Sequence, residues 1–181
     1  MKELALHILD LAENSLRAGA TELEITIERD EAADRLTVHI ADNGRGMPPE
    51  ALARVSDPFY TTKGTRRTGL GIPLATHAAQ RAGGSFSIES QEGRGTRITA
   101  VFQHSHIDRQ PLGDIAGTVA ALLLASPEIE LRFLCRSGSG EYCFDTRQLR
   151  EQLAGVPLNH VAVLAVLRDT IAGNVREFCG P

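Results

Sequence analysis

The sequence predicts an α+β fold, a two-layer α/β sandwich in which a mixed, mostly antiparallel sheet carries helices on one face. Apolar and polar residues alternate over Leu23–Ile27 and again over Leu36–Ile40, which is the period of half-buried strands. Residues 2–18 instead place apolar side chains at helical spacing, and Gly19 follows them as a helix terminator. Because neighbouring strands are joined by short turns, we expect them to pair mainly antiparallel beneath the helices.

The elements after the second strand surround a glycine-rich loop at Asp42–Met47. Pro48–Glu50 is predicted to open a short helix, and residues 56–68 carry too few apolar positions for a packed element, which predicts a mobile lid. The remaining predicted elements of this part are a helix over 71–82 that ends at Gly83-Gly84, and strands over 86–89 and 96–102 joined by the turn Glu92–Gly95.

A small C-terminal lobe with the element order αββαα is predicted over residues 104–181, after a first domain over residues 1–103. Its predicted elements are a helix over 111–125, strands over 129–135 and 141–144, a helix capped by Asp145-Thr146, and a last helix over 159–178. We have no sequence motif for the role of this lobe, and partner docking is the hypothesis.

Composition limits the function classes. The 181 residues, 42% of them hydrophobic, suffice for one main core. The net charge of −4 indicates no strongly basic surface, so we expect no nucleic-acid partner. No apolar run reaches transmembrane length, and Asp10 and Glu13 interrupt the one near the start, so we expect neither a membrane span nor an export leader. Cys135, Cys143 and Cys179 are odd in number and form no CxxC pair, which favours a reducing, cytoplasmic location.

A polar stripe runs along the first predicted helix. Asp10, Asn14 and Arg17 are spaced four and three residues apart, so a carboxylate, an amide and a guanidinium share one face. The carboxylate can polarise a water or hydroxyl, the amide oxygen suits Mg²⁺ held mainly by phosphates, and the guanidinium can pair with phosphate oxygens. An ordinary solvated helix face is the alternative interpretation.

Two glycine-containing segments favour a nucleotide ligand. Gly44 and Gly46 allow the backbone to approach a planar ligand, and Asp42 at a strand end can accept a hydrogen bond from an exocyclic amine such as that of adenine. Gly69-Leu70-Gly71 precedes a helix and presents backbone N–H groups to an anion. Taken singly, each segment is also explained as a common turn.

The order of these segments resembles the GHKL superfamily, whose members share the Bergerat ATP-binding fold, and in particular its histidine-kinase-like ATPase domain. The resemblance covers about residues 1–103. The matching segments are Asp10–Ala20 as the N-box, Asp42–Met47 as the first glycine box, Asp57–Lys63 as the F-box, Thr68–Gly71 as the second glycine box, and Gly93–Thr96 as the late Gly-x-Gly-Thr element.

The resemblance implies ATP and Mg²⁺ as cofactors and a role for each matching residue. Around the base it implies Asp42 as the acceptor of the adenine amine, Gly44, Gly46 and Met47 beside the ring, and Thr96 in the hydrogen-bond network. Around the phosphates it implies Asn14 as the Mg²⁺ ligand with Arg17, Lys63, Gly69, Leu70 and Gly71. Asp10 stands where hydrolytic members place a glutamate, so it is the candidate catalytic base, with a shorter arm.

Several functional hypotheses follow from the resemblance. The F-box and Arg17 look like those of histidine kinases, which favours a kinase-like regulator that hydrolyses ATP or transfers its γ-phosphate to a protein partner. The alternatives are a nucleotide-gated binding module with negligible turnover and, disfavoured by length and charge, a DNA-repair clamp. The runs Ser105–Asp114 and Gly155–Leu158 are similar to stand-alone ATP-binding proteins near bacterial iron-only hydrogenase genes.

Overall fold

The computed structural model describes residues 2–55, 70–153 and 155–180. The predicted lid over 56–68 therefore lies outside the described residues. The helices are α1 (Leu4–Arg17), α2 (Pro49–Arg54), α3 (Gly71–Arg81), α4 (Ile115–Ala125), α5 (Thr146–Gln152) and α6 (Val161–Phe178). The strands are β1 (Glu22–Asp30), β2 (Arg35–Asp42), β3 (Ser85–Gln91), β4 (Gly95–Gln103), β5 (Glu130–Ser137) and β6 (Gly140–Asp145).

The strands form one sheet in the order β3-β4-β2-β1-β5-β6. Every neighbouring pair is antiparallel except β1 and β5, which run parallel. The predicted mixed, mostly antiparallel sheet is thus confirmed. Its register places Asp42, the last residue of β2, directly opposite Thr96 of β4.

The helices form a continuous layer on one face of the sheet. α1 contacts both α3 and α4, and α4 contacts α6, while α3 and α6 lie against opposite halves of the sheet. Alternate strand residues such as Ile25 and Ile40, each 1% exposed, are buried beneath this layer. The residues between them face the other side, where Glu24 pairs with Arg132 across β1 and β5. The predicted two-layer architecture is confirmed.

Helix α4 begins later than its apolar sequence predicts. Asp114 caps it by accepting a hydrogen bond from the Gly117 N–H at 2.7 Å. The residues just before it are hydrogen-bonded to the start of α1. The Pro111 carbonyl accepts from the Leu4 N–H at 3.0 Å, and the Leu112 carbonyl accepts from the Ala5 N–H at 2.9 Å. These extended residues satisfy N–H groups that the start of α1 leaves free.

Residues 104–181 supply the predicted order αββαα, and their strands join the main sheet through the pairing of β5 with β1. The connection is anchored at Asp34, whose carboxylate accepts hydrogen bonds from the Ser105 N–H at 2.8 Å and the Gln103 side chain at 2.9 Å. The Ser105 hydroxyl, which donates to Asp34 Oδ2 at 2.7 Å, lowers the pKa of Asp34 most, and the other two bonds lower it further. A boundary between two domains near residue 104 stays a prediction.

None of the helices in the described parts of the chain combines the length and the apolarity that crossing a bilayer requires.

Candidate functional site

The carboxylate of Asp42 is held in one orientation at the end of β2. The Ser15 hydroxyl of α1 donates a hydrogen bond to Asp42 Oδ2 at 2.6 Å, and the Gly44 N–H donates to Oδ1 at 2.9 Å. Ser15 is only 4% exposed, so this contact lies inside the protein. Each oxygen of an ionised carboxylate has two lone pairs, and Asp42 therefore keeps acceptor capacity for a ligand amine.

The glycine loop after β2 packs so closely on the β3–β4 turn that one position in the loop and one at the turn exclude any side chain. Gly46 has φ +64°, and a Cβ there would stand 2.0 Å from the Gln91 carbonyl oxygen. Gly95 has φ +100°, and a Cβ there would stand 1.9 Å from the Asp42 carbonyl oxygen. Both positions therefore require glycine.

A row of polar side chains crosses three strands beside this loop. Asp42 on β2, Thr96 on β4 and Ser90 on β3 occupy successive register positions. The Ser90 hydroxyl accepts from the Met47 N–H at 2.9 Å and hydrogen-bonds the Thr96 hydroxyl at 2.9 Å. The structure thus brings together Asp42, Met47 and Thr96 as predicted from the resemblance. Ser15 and Ser90 were missed, because only the register shows which hydroxyl meets which partner.

Asp10 and Asn14 meet the start of α3. A Cβ placed on Gly71 would stand 3.6 Å from the Asp10 Cβ and 3.7 Å from Asn14 Nδ2. Asp10 is exposed and Asn14 is half-buried. The first turn of a helix has free N–H groups and a positive dipole end, so this corner can receive an anion beside a carboxylate and an amide.

Arg17 is hydrogen-bonded to Asn14, the side chain that the resemblance assigns to Mg²⁺. Its Nη1 donates to Asn14 Oδ1 at 2.9 Å, and its Nη2 forms an ion pair with Glu13. Glu13 is a further residue that the spacing argument did not include. A cation bound to the Asn14 oxygen would be repelled by the guanidinium of Arg17, which is hydrogen-bonded to the same atom.

His7 lies one turn before Asp10 but inside the protein. It is 6% exposed, and its Nε2 forms a 3.0 Å hydrogen bond with Gln110 Oε1. Burial lowers the pKa of His7. A neutral, enclosed imidazole is typical of a structural residue and not of a phosphate acceptor.

The donor set fits the expected ligands. Asp42 is an acceptor beside a glycine-containing loop, and an adenine amine requires such an acceptor. Asn14 and Asp10 offer the oxygen ligands that Mg²⁺ prefers. Within the described residues no cluster of three His, Cys, Asp or Glu could hold a metal alone, which is compatible with an ion bound mainly through phosphates. Lys63 and Gly69 lie outside the described residues, and their roles stay predictions.

Comparison with known proteins finds several kinases that are similar to this chain in sequence. The sensor protein kinase FleS of Pseudomonas aeruginosa is 39% identical over 96 residues, which are 52% of this chain and 23% of that protein. Sporulation kinase C of Bacillus subtilis is 32% identical over 93 residues, 51% of this chain and 22% of that protein. Sensor protein SrrB of Staphylococcus aureus is 34% identical over 101 residues, 53% of this chain and 17% of that protein. The chain therefore spans less than a quarter of the length of these relatives.

A crystal structure of the N-terminal domain of a DNA repair protein superposes with a TM-score of 0.51 at 13% identity, over 79% of this chain and 52% of that one. That likeness concerns the fold alone. The family described as histidine kinase-, DNA gyrase B-, and HSP90-like ATPase matches residues 2–106, more than half of the chain. The protein thus belongs to the GHKL superfamily of histidine kinase-like ATPases.

Proposed function

We propose that the protein binds ATP with Mg²⁺ and acts as a kinase-like regulator, which hydrolyses ATP or transfers its γ-phosphate to a protein partner. The observation that carries the proposal is the Asp42 carboxylate, oriented by Ser15 and Gly44 beside a glycine-containing loop, in a chain of this ATPase family.

The kinase hypothesis is favoured by the names of the relatives. FleS is a sensor protein kinase and the Bacillus subtilis relative is a sporulation kinase, and each matches about half of this chain. Transfer of a phosphoryl group depends on positioning and on stabilising charge. Arg17, Asn14 and the start of α3 supply a cation, an amide and backbone N–H groups at one corner.

In this proposal Asp42 and Thr96 recognise the adenine, and Asn14 would hold Mg²⁺ near the phosphates. The cation would supply charge stabilisation for the transferred group. Asp10 is exposed next to Gly71, so its carboxylate is placed to accept a proton from an attacking water or hydroxyl.

A second candidate, a nucleotide-gated binding module with negligible turnover, is favoured by one contact. Arg17 engages the Asn14 oxygen in the structure, so binding of a cation at Asn14 would displace Arg17 and its ion pair with Glu13. A ligand-dependent rearrangement of this kind is what a switch needs.

The test follows the γ-phosphate of labelled ATP with Mg²⁺ in the wild type and in Asp10→Asn, with and without lysate of cells that express the protein. Label on a lysate protein would support a kinase, and its acid stability would separate serine or threonine from histidine acceptors. Free phosphate that is lost in Asp10→Asn would support an ATPase with Asp10 as base. ADP binding is measured in both proteins, so that a folding defect is not mistaken for lost chemistry. Tight ATP binding without either product would favour the gated module.

A further inference from the structure

Two of the three cysteines meet inside the protein, where the end of α6 packs on the sheet. Cys135 on β5 is 0% exposed, and Cys179, directly after α6, is 4% exposed. Both are free thiols, and their side chains are hydrogen-bonded to each other. The pair lies on β5 and α6, away from the β2 end and the α1 corner that form the candidate ATP site.

The backbone of two strands fixes the position of the second sulfur. Ile27 of β1 is the register partner of Cys135 in the parallel pair of β1 and β5. The Sγ atom of Cys179 lies 3.5 Å from the Ile27 carbonyl oxygen and 3.6 Å from the Arg136 carbonyl oxygen. Because these two carbonyls flank Cys135, the Cys179 sulfur is held over the Cys135 side chain.

The two thiols differ in acidity. The hydrogen bond with Cys135 lowers the pKa of Cys179 against the effect of burial, and the Arg29 guanidinium contributes in the same direction. Arg29 stands at this end of α6, where it donates a hydrogen bond to the Gly180 carbonyl. The hydrogen bond with Cys179, together with burial, raises the pKa of Cys135 above its usual range. A thiolate is the attacking form of cysteine, so Cys179 is the nucleophile of the pair and Cys135 reacts second.

We propose that Cys135 and Cys179 form a thiol–disulfide exchange site, which takes a low-molecular-weight disulfide as its oxidant and closes to an intramolecular disulfide. The Cys179 thiolate attacks one sulfur of the oxidant, the S–S bond of the oxidant breaks, and one thiolate leaves. That thiolate takes the proton of Cys135, whose sulfur then attacks the Cys179 sulfur and expels the second thiolate, which is protonated by water. Two protein thiols are oxidised, and the oxidant is reduced to two thiols.

The oxidised form would differ from the reduced form in the attachment of α6. The new bond would join the end of α6 covalently to β5 and close a loop that contains β6, α5 and α6. Closing a long loop restricts the unfolded chain, so the oxidised protein should be the more stable form. Because both sulfurs are buried, the oxidant must enter through opening of the last turn of α6, and helix ends open at a lower free energy than the core.

Cys143 supplies an internal control. It is exposed, and its register partner on β5 is Leu134 and not Cys135. Successive residues of a strand point to opposite faces, so the side chain of Cys143 lies on the face of the sheet away from Cys135. Cys143 can therefore form a mixed disulfide with the oxidant, but it cannot close the buried pair.

The experiment treats the reduced wild type, Cys135→Ser and Cys143→Ser with oxidised glutathione. Thiols are counted after unfolding, linked peptides are mapped by mass spectrometry, and thermal unfolding is recorded before and after treatment. We expect a peptide that links Cys135 to Cys179 in the wild type and in Cys143→Ser, with a melting temperature raised by at least about 5 °C and restored by dithiothreitol. Cys135→Ser should show neither change.

The equilibrium provides a second measurement that needs no variant. At a fixed ratio of reduced to oxidised glutathione, the folded wild type should form the link at least about tenfold more completely than the same protein unfolded in guanidinium chloride, because only the fold brings the two sulfurs together. Equal linkage in the folded and unfolded protein would overturn the inference. So would a product in which glutathione is attached to Cys143 while Cys135 and Cys179 still titrate as free thiols after unfolding. If Cys135→Ser does not fold, Cys179→Ala takes its place.

Discussion

Replacing Asp42 by asparagine tests the base-recognition site most directly. The wild-type carboxylate accepts from Ser15 at 2.6 Å and from Gly44 at 2.9 Å, and a bound adenine amine would be its third donor. Asparagine has one acceptor oxygen and an NH₂ group in place of the second oxygen. With three donors converging on the side chain, the NH₂ group must face at least one of them.

The expected loss follows from that mismatch. A hydrogen bond to a charged acceptor contributes about 1.5–3 kcal/mol, and the variant retains part of it, so ADP binding should weaken by about 1–3 kcal/mol. This corresponds to a dissociation constant raised by about five- to 150-fold. Isothermal titration calorimetry of ADP, with thermal unfolding of both proteins, measures the change separately from any loss of stability.

Asp145→Asn is the matched control. Asp145 also ends a strand, and its Oδ1 also accepts from the N–H of the second residue along, Arg147, at 2.8 Å. It lies on β6, three strands away from β2 in the sheet. ADP affinity should be unchanged in this variant. Equal affinities of Asp42→Asn and the wild type, or equal losses in both variants, would refute our placement of the adenine.

Three further predictions concern stability. Gly46→Ala should destabilise the protein by at least about 2 kcal/mol more than Gly93→Ala in urea unfolding: both positions have positive φ, but a Cβ meets a backbone oxygen at 2.0 Å at Gly46 and nothing within 4 Å at Gly93. Thr146→Val should lower the unfolding free energy by about 1–3 kcal/mol, and Thr146→Ser should lower it less. The reason is that the Thr146 hydroxyl, 0% exposed, accepts from the Leu131 N–H and donates to the Ile129 carbonyl. Similar unfolding midpoints for the two variants would contradict this. Burial lowers the pKa of His7 below 6.5, so the folded state favours the neutral imidazole. The folded state therefore keeps its full stability above the unfolded-state pKa of His7 and loses stability as the pH falls below that value. The unfolding free energy should therefore drop more from about pH 7.5 to about pH 5.5 in the wild type than in His7→Gln, and parallel pH profiles would count against it.

Local patterns in the sequence were enough to predict most of the helices and strands. The alternation through Leu23–Ile27 predicts a strand, and β1 covers it. The order of the motifs predicts that Asp42 and Thr96 serve one site, and the register places them opposite each other. Helix α4 was predicted to begin too early, because apolar periodicity cannot show that carbonyls at 111 and 112 are engaged by the start of α1.

The sequence by itself determined which segments are strands and helices, and it determined the motif residues that identify the ATPase family. Those features depend on side-chain periodicity and on residue types within a short stretch of chain. Only the tertiary structure decided that β5 joins β1 in parallel, that Ser15 orients Asp42, and that Arg17 holds the oxygen of Asn14. The first two pair residues 27 or more positions apart, and the third depends on the rotamer of a long side chain. Hydrogen bonds of this kind are directional and short, so they follow from the packed geometry of α1 on the sheet and not from spacing along the chain.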